Sequence, residues 1–149
     1  MSNEFSIRTA NKNDLPALFE LYLHLCDTEI MPITSDAMQL WESILADPNY
    51  HIIVGEQNGE IVSSVTLVII KNLTRKMRPG AQIENIVTAP AYRNKGYAGL
   101  LLERAAKTAK EHNCYQMTLV SGAKNDSTVR LYINAGFANT EKSVFVMKL

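Results

Sequence analysis

The chain has 149 residues, of which 46% are hydrophobic and 20% charged, a composition typical of one soluble globular domain over residues 1–149. Fifteen basic residues balance fifteen acidic ones, so the sequence lacks the basic excess of a nucleic-acid-binding protein. It has no apolar run of membrane-spanning length and no signal-peptide pattern. Cys26 and Cys114 form neither a disulfide framework nor a metal-ligand spacing. We therefore expect a cytoplasmic protein without a metal and without membrane contact.

The chain begins with a predicted strand over residues 4–9 and a helix after it. Asn13 or Asp14 can cap this helix, and Pro16 is tolerated in its first turn. We interpret His24, beside the apolar face, as a surface or half-buried histidine. The helix carries one wide apolar stripe at helical spacing: Leu15, Leu18, Phe19, Tyr22, Leu23 and Cys26.

A second helix is predicted after the break at Met31-Pro32. Thr34 or Ser35 can cap it, and it ends before Pro48. Its apolar face carries Met38, Trp41 and Leu45. We interpret Trp41 as a core residue, because a single tryptophan at helical spacing is more often core than part of a substrate pocket.

The strongest local signal is a β-hairpin over residues 50–71. Asn58-Gly59 separates two β-rich runs, and this dipeptide is typical of a tight turn between antiparallel strands. The following loop, residues 72–80, carries Arg75, Lys76 and Arg78. We interpret it as a solvated loop, and the alternative is a basic rim that attracts acidic ligands.

The next strand, residues 82–88, runs into a loop that can bind an anion. Pro90 ends the strand, and a helix rich in alanine and leucine begins near Ala98. Backbone N–H groups at a helix start lack intrahelical partners, and the helix dipole places partial positive charge there. Glycine at Gly96 and Gly99 lets a ligand approach the backbone closely. The loop therefore predicts a phosphate or pyrophosphate site.

The remaining elements predict an α+β fold. The helix ends at Asn113, a strand covers residues 115–120, and a short helix opens at Asn125 and stops at Gly136. Closing strands follow Phe137, with apolar alternation over residues 143–149. The order β, α, α, β, β, β, α, β, α, β, β predicts a three-layer α/β/α domain. We expect a mixed, mostly antiparallel sheet of about seven strands with helices on both faces.

Two motifs resemble those of the GNAT superfamily, the acyl-CoA-dependent N-acetyltransferases. Arg93-Asn94-Lys95-Gly96-Tyr97-Ala98 fits that superfamily's pyrophosphate motif, Arg/Gln-x-x-Gly-x-Gly/Ala, and neither a P-loop nor a dinucleotide motif is present. The run from Asn125 to Phe137 resembles a second signature, Asn-x-x-small-x-x-Leu-Tyr-x-x-x-Gly-Phe. The element order is also similar, so the resemblance covers residues 4–149.

This resemblance implies acetyl-CoA as co-substrate and assigns residues to it. A backbone N–H near Val87 would polarise the thioester carbonyl, and Tyr132 would protonate the leaving thiolate. Asn125 would contact the pantetheine arm or, as an equal alternative, only cap its helix. The implied binding residues are Ile86, Val87, Thr88, Arg93, Asn94, Lys95, Gly96, Tyr97, Ala98, Gly99, Asn125 and Tyr132.

Glu84 is the candidate base, acting directly or through water, because an attacking amine with a solution pKa of about 10 must lose a proton. Strict strand alternation would put Glu84 and Val87 on opposite faces, but a β-bulge, frequent in this strand of the superfamily, would reverse that parity. The alternatives for Glu84 are an exposed strand residue or a partner for Lys71. Asn85 is the next polar candidate.

The sequence therefore predicts an N-acetyltransferase that moves acetyl from acetyl-CoA to a primary amine by direct attack. No covalent intermediate is required, so neither cysteine is needed. The acceptor would be a small-molecule or peptide amine, and superfamily members often form homodimers. Two alternatives remain: a non-catalytic acyl-CoA-binding or sensing module, and a plain scaffold with an anion site at a helix start.

Overall fold

The computed structural model describes residues 4–25, 29, 32–122, 125–140 and 142–149. Cys26 in the predicted stripe of the first helix and Met31 at the predicted break lie outside the described residues. The helices and strands are β1 Phe5–Thr9, α1 Leu15–Tyr22, α2 Ser35–Ala46, β2 Tyr50–Gln57, β3 Glu60–Ile70, β4 Gly80–Thr88, α3 Tyr97–Glu111, β5 Met117–Leu119 and α4 Asp126–Asn134. None of the helices in this part of the chain is both long enough and apolar enough to cross a bilayer.

The strands form one sheet in the order β1-β2-β3-β4-β5. The first three pairs are antiparallel and the β4–β5 pair is parallel, which confirms the expected mixed, mostly antiparallel sheet. The predicted hairpin joins β2 to β3. Asn58 and Gly59 have φ values of 54° and 77°, which place both residues in the left-handed region that a tight hairpin turn needs.

Helices cover both faces of the sheet, as expected. Ile53 packs in the cluster that includes the buried side of α3, whereas Ile52 and Val54 pack in the cluster around α1 and α2. Successive residues of a strand point to opposite faces, so β2 contributes to both layers. Trp41 is 3% exposed and its indole N–H donates to the carbonyl of Lys12 at 3.2 Å, which confirms it as a core residue.

The expected seven strands are not found, because the structure has five in the residues it describes. The segment 143–149, predicted as a closing strand, has no strand assignment in the structure. Its alternating apolar residues are exposed, with Phe145 at 93% and Met147 at 83%. Alternation shows that a segment can form a strand, but a strand also needs a neighbouring edge to accept its hydrogen bonds.

The two predicted helix caps have different outcomes. Thr34 caps α2 as expected, since its hydroxyl accepts from the N–H of Ala37 at 3.1 Å. Asp14 stands at the N-cap position of α1 but makes no capping bond. Its carboxylate instead accepts from Arg8 at 2.7 and 2.9 Å and from the N–H of Asn11 at 2.7 Å. The carboxylate of Asp14 thus completes the capping box of the short 3-10 turn that starts after Asn11 and pairs with Arg8, instead of capping α1.

The basic loop before β4 lies at the opposite end of that strand from Thr88. Arg78 donates to the carbonyls of Asn113 and Cys114 at 3.1 and 2.9 Å, and Arg75 lies over the ring of Tyr115. The loop therefore ties β4 to the end of α3. The alternative of a basic rim that attracts acidic ligands stays a prediction.

Candidate active site

Strand β4 contains the β-bulge on which the Glu84 prediction depended. Glu84 lies opposite Thr66 and Val87 lies opposite Ser64, so three steps along β4 match two steps along β3. Asn85, inside the bulge, has a φ of 51°. Because Ser64 and Thr66 are two residues apart, they share a face of the sheet, and Glu84 and Val87 share that face too.

The same end of β4 separates from β5. Parallel pairing runs from Ala81 with Met117 to Ile83 with Leu119, and β4 continues to Thr88. Among the described residues, positions 84–88 therefore have a neighbouring strand only on the β3 side. Backbone groups on the open side must bond to water or a ligand, because an unpaired polar group buried without a partner is costly.

The predicted phosphate loop forms the start of α3. Gly96 is the N-cap residue with a φ of 80° and has no side-chain cap, and Asn94 has a φ of 62°. The first helical bond runs from the N–H of Leu100 to the carbonyl of Gly96 at 3.1 Å. The N–H groups of residues 97–99 therefore have no intrahelical partner and point out of the helix end. This arrangement fits an anion.

Two basic side chains of this loop are held by the protein itself. Arg93 donates from Nε to the carbonyl of Thr88 at 3.1 Å, which fastens the loop to the end of β4. The ammonium of Lys95 lies 5.5 Å from the ring centroid of Tyr92. Both side chains are exposed. The most directed donors toward a ligand are thus the main-chain N–H groups.

Helix α4 brings the third part of the site. Asn125 caps it, accepting from the N–H of Thr128 at 2.9 Å and from the hydroxyl of Ser127 at 2.8 Å. Capping was one of the two expected roles of Asn125, and the pantetheine contact stays a prediction. Tyr132, half-buried later in the helix, meets Phe137 edge to face with ring centroids 6.3 Å apart.

These three parts enclose a cavity of about 480 Å³. None of its lining residues is acidic, which suits an anionic ligand. From the prediction it brings together Ile86, Val87, Thr88, Arg93, Asn94, Gly96, Tyr97, Ala98 and Tyr132. Sequence reasoning missed the other lining residues, which are His24, Leu25, Tyr92, Ser127, Thr128 and Leu131.

Four predicted residues do not line this cavity. Lys95 points to solvent, and Asn125 lies at the cap of α4. Gly99 lines a neighbouring groove of about 970 Å³ between α3 and α4. Glu84 is exposed on its strand and accepts a hydrogen bond from the amide of Gln82 at 2.5 Å.

Among the lining residues that sequence reasoning missed, one pair had a local sequence signal and another pair had none. Ser127 and Thr128 directly follow the N-cap, so they belong to the first turn of α4 and share its exposed N–H end. Their place in the motif was a usable signal. His24 and Leu25 follow α1 and reach the cavity only because α1 packs on the sheet beside Val87. No local pattern predicts that contact.

The sheet face that carries Glu84 also holds a buried phenol. Burial raises the pKa of Tyr22, whose hydroxyl interacts with the side chains of Thr66 and Ser64. Thr66 is the residue opposite Glu84. This phenol therefore stays uncharged at neutral pH. Within the described residues, no set of three or more His, Cys, Asp or Glu side chains could hold a metal.

The fold agrees with what comparison with known proteins finds. The sequence model of the Acetyltransferase (GNAT) family matches residues 16–137. A putative acetyltransferase from Agrobacterium tumefaciens is 36% identical in sequence and superimposes with a TM-score of 0.88, over 96% of this chain and 99% of that one. Glucosamine 6-phosphate N-acetyltransferase from Trypanosoma brucei brucei is 26% identical, over 95% of this chain and 94% of the relative.

One solved structure carries the coenzyme. An aminoglycoside N-acetyltransferase in complex with CoA has this fold, with a TM-score of 0.76 and 20% identity, over 97% of this chain and 99% of that one. The chain belongs to the GNAT family of acetyltransferases. It is an acyltransferase of that family, and its curated relatives are named N-acetyltransferases.

Proposed function

We propose that this protein transfers acetyl from acetyl-CoA to a primary amine of a small molecule, by direct attack and without an acyl-enzyme. The observation that carries the proposal is the cavity between the open end of β4, the glycine start of α3 and the tyrosine of α4. It combines unpaired backbone donors with a phenol in one space. A thioester held beside a proton donor needs both features.

The N–H groups of residues 97–99, with the backbone of Arg93 to Gly96, would bind the pyrophosphate of acetyl-CoA. The open side of residues 86–88 would hydrogen-bond the pantetheine arm as an added strand does, and a backbone N–H near Val87 would meet the thioester oxygen. Gly96 supports this role because a residue with a side chain would be strained at a φ of 80°. Asn125 would add a contact from its amide nitrogen.

Two residues would carry the proton transfers of the proposed reaction. The amine nitrogen attacks the carbonyl carbon, and the C–S bond breaks as the amide bond forms. Glu84, through water, would take the proton that the amine loses, and the hydroxyl of Tyr132 would give a proton to the thiolate. Glu84 shares the face of Val87, and its exposure leaves room for the bridging water. Asn85 would be the next candidate for contact with the acceptor.

For the acceptor we propose an amino sugar or a related small amine. The support is the relative named glucosamine 6-phosphate N-acetyltransferase, which aligns along nearly the full length of both chains. A peptide amine is the second class to test. A cytoplasmic setting and a homodimer remain part of the proposal.

The decisive experiment measures thiol release from acetyl-CoA against a panel of amines, with amino sugars, aminoglycosides, polyamines and peptides. We expect turnover with at least one small amine and a loss of turnover in Glu84→Gln. A melting experiment with CoA runs in parallel. Stabilisation by CoA without turnover on any amine would instead make the protein a binding or sensing module. Neither stabilisation nor turnover would leave only a scaffold with an anion site.

A further inference from the structure

A buried serine holds the last residues of β4 to β3. Ser63 lies on β3 opposite Thr88 and is 0% exposed. Its hydroxyl donates to the carbonyl of Val87 at 3.0 Å and lies 2.8 Å from the hydroxyl oxygen of Thr88. Because the serine side chain is fully buried, these contacts are shielded from bulk water. Ser63 thus contacts two consecutive residues of β4 where that strand reaches the cavity.

The directions of these hydrogen bonds follow from the protons available. A serine hydroxyl has one proton, and a carbonyl oxygen can only accept. The proton of Ser63 is used on the carbonyl of Val87, so the hydroxyl of Thr88 must donate to Ser63. The three groups therefore form one chain, from Thr88 through Ser63 to Val87, in which each bond polarises the next.

The bond to the Val87 carbonyl also fixes the direction of the Thr88 N–H. Both groups belong to one planar trans peptide, in which C=O and N–H point in opposite directions. The Val87 carbonyl faces β3, so the Thr88 N–H faces the side that β5 leaves open after Ile83. The N–H of Ala89 donates to the carbonyl of Val62 on β3 at 2.8 Å, which agrees with this alternation along the strand.

This end of β4 depends on β3 for its restraint. Among the described residues, positions 84–88 have a neighbouring strand on the β3 side only. The bulge at Asn85 interrupts the regular ladder just before Val87. The carbonyl of Thr88 already accepts from Nε of Arg93 at 3.1 Å. The backbone group that Thr88 can offer to a ligand in the cavity it lines is therefore its N–H.

We propose that Ser63 is a positioning residue for acetyl-CoA and acts through the peptide between Val87 and Thr88. The hydroxyl chain holds the Thr88 N–H toward the cavity and strengthens it as a donor to a carbonyl of the pantetheine arm. Thr88 lines the cavity, whereas Ser63 lies behind it and does not. This role rests on the proposed function, which places acetyl-CoA along the open side of residues 86–88.

The next residue along β3 provides a matched control. Ser64 is also 0% exposed, and its hydroxyl donates to the carbonyl of Ile53 at 3.1 Å. Ile53 belongs to β2, so this bond joins β3 to its other neighbour. Ser63→Ala and Ser64→Ala thus each remove one buried hydroxyl and its bond to a backbone carbonyl. Only Ser63→Ala removes a hydroxyl that is bonded to β4.

The first test compares two ligands by calorimetric titration: CoA, and 3′-phospho-ADP, which keeps the pyrophosphate but lacks the pantetheine arm. Ser63→Ala should raise the dissociation constant for CoA by about 10-fold, the effect of one hydrogen bond. The constant for 3′-phospho-ADP should not change, because the start of α3 is untouched. Ser64→Ala should leave both constants unchanged, although denaturant unfolding should show a similar loss of stability in the two variants.

The second test follows the amide of Thr88 by NMR as CoA is added. In the wild type and in Ser64→Ala, the amide proton should shift downfield, as expected for a donor that gains an acceptor. In Ser63→Ala saturated with CoA, the shift should be clearly smaller. A CoA affinity that is unchanged in Ser63→Ala, or that falls equally in both serine variants, would overturn the proposal.

Failure of this role and failure of the proposed reaction give different results. Thiol release by the wild type, together with a Thr88 amide that CoA does not shift, would refute the role of Ser63 and leave acetyl transfer standing. A shifted amide without turnover on any amine would refute the transfer and leave the positioning role standing. A wild type that does not bind CoA would refute both.

Discussion

The β2–β3 hairpin and the last residues of β4 use the same sheet in opposite ways. In the hairpin every residue of β2 pairs with β3, with one register shift between Gly55 and Glu56, and Val62 and Val65 are 0% exposed. Beyond Ile83, β4 keeps its β3 neighbour but loses β5. Nearly continuous pairing makes a stable scaffold, because backbone N–H and C=O groups buried in the sheet find partners on the neighbouring strand. Pairing on one side only leaves backbone groups that a ligand can use.

A comparison of two glycines shows the same contrast between scaffold and candidate site. Gly59 and Gly96 have φ values of 77° and 80°, and neither would meet a neighbouring atom if a Cβ were added. In Gly59 the left-handed conformation only reverses the chain. In Gly96 it aims the start of α3 at the cavity. The same left-handed conformation therefore shapes a turn at Gly59 and, in the proposed function, the anion-binding helix start at Gly96.

Truncation of a buried side chain in the hairpin should cause the largest loss of stability and leave CoA binding unchanged. Leu67 on β3 is 0% exposed, so Leu67→Ala should lower the free energy of unfolding by about 2–5 kcal/mol through lost burial and a residual cavity. Denaturant unfolding measures this loss. The affinity of the folded variant for CoA should not change; a weakened affinity would show that scaffold and site are not separate.

Removal of the Tyr132 hydroxyl should lower turnover and leave the scaffold intact. Tyr132→Phe keeps the ring packed on Phe137 but removes the proposed proton donor, so kcat should fall by about 100-fold with little change in acetyl-CoA affinity. Steady-state kinetics and calorimetric titration measure the two quantities. Tyr115→Phe, which removes a hydroxyl near the far end of β4, is the matched control and should keep full turnover. Unchanged turnover in Tyr132→Phe would exclude this tyrosine from the reaction.

Substitution of the two glycines should have smaller effects, on stability at both positions and on acetyl-CoA affinity at Gly96 alone. Gly96→Ala and Gly59→Ala should each destabilise the fold by about 1 kcal/mol, because alanine resists a positive φ. Only Gly96→Ala should also raise the dissociation constant for acetyl-CoA, by about 10-fold, since it disturbs the donors at the start of α3. Lys95→Ala should change it less, because its side chain does not line the cavity. Equal losses in Gly96→Ala and Lys95→Ala would contradict a backbone-dominated site.

The smallest effect concerns acid stability of the scaffold. The guanidinium of Arg8, followed by the N–H of Asn11, holds the pKa of Asp14 below its ordinary value of 3.8. A lowered pKa in the folded state means that the ionised carboxylate stabilises the protein above about pH 4 and loses this contribution as the pH falls further. The difference in melting temperature between the wild type and Asp14→Asn should thus be constant from pH 7 to 5 and shrink below about pH 4. A difference independent of pH would show that the ion pair is not involved.

The sequence by itself determined the features that depend on local chemistry. Asn58-Gly59 predicts its turn, Gly96 predicts an open helix start, and Asn125 predicts a cap, because each effect acts within a few residues of the chain. Two such motifs on a matching element order were enough for the family. Most of the predicted acetyl-CoA residues accordingly line one cavity.

Only the tertiary structure decided what depends on distant neighbours. The bulge at Asn85 comes from the register between β3 and β4, and it sets the face on which Glu84 lies. His24 reaches the cavity through the packing of α1 on the sheet. The alternation in residues 143–149 predicted a strand, yet the structure assigns no strand there and the apolar side chains are exposed. Strand formation and side-chain direction require a partner that local sequence does not specify.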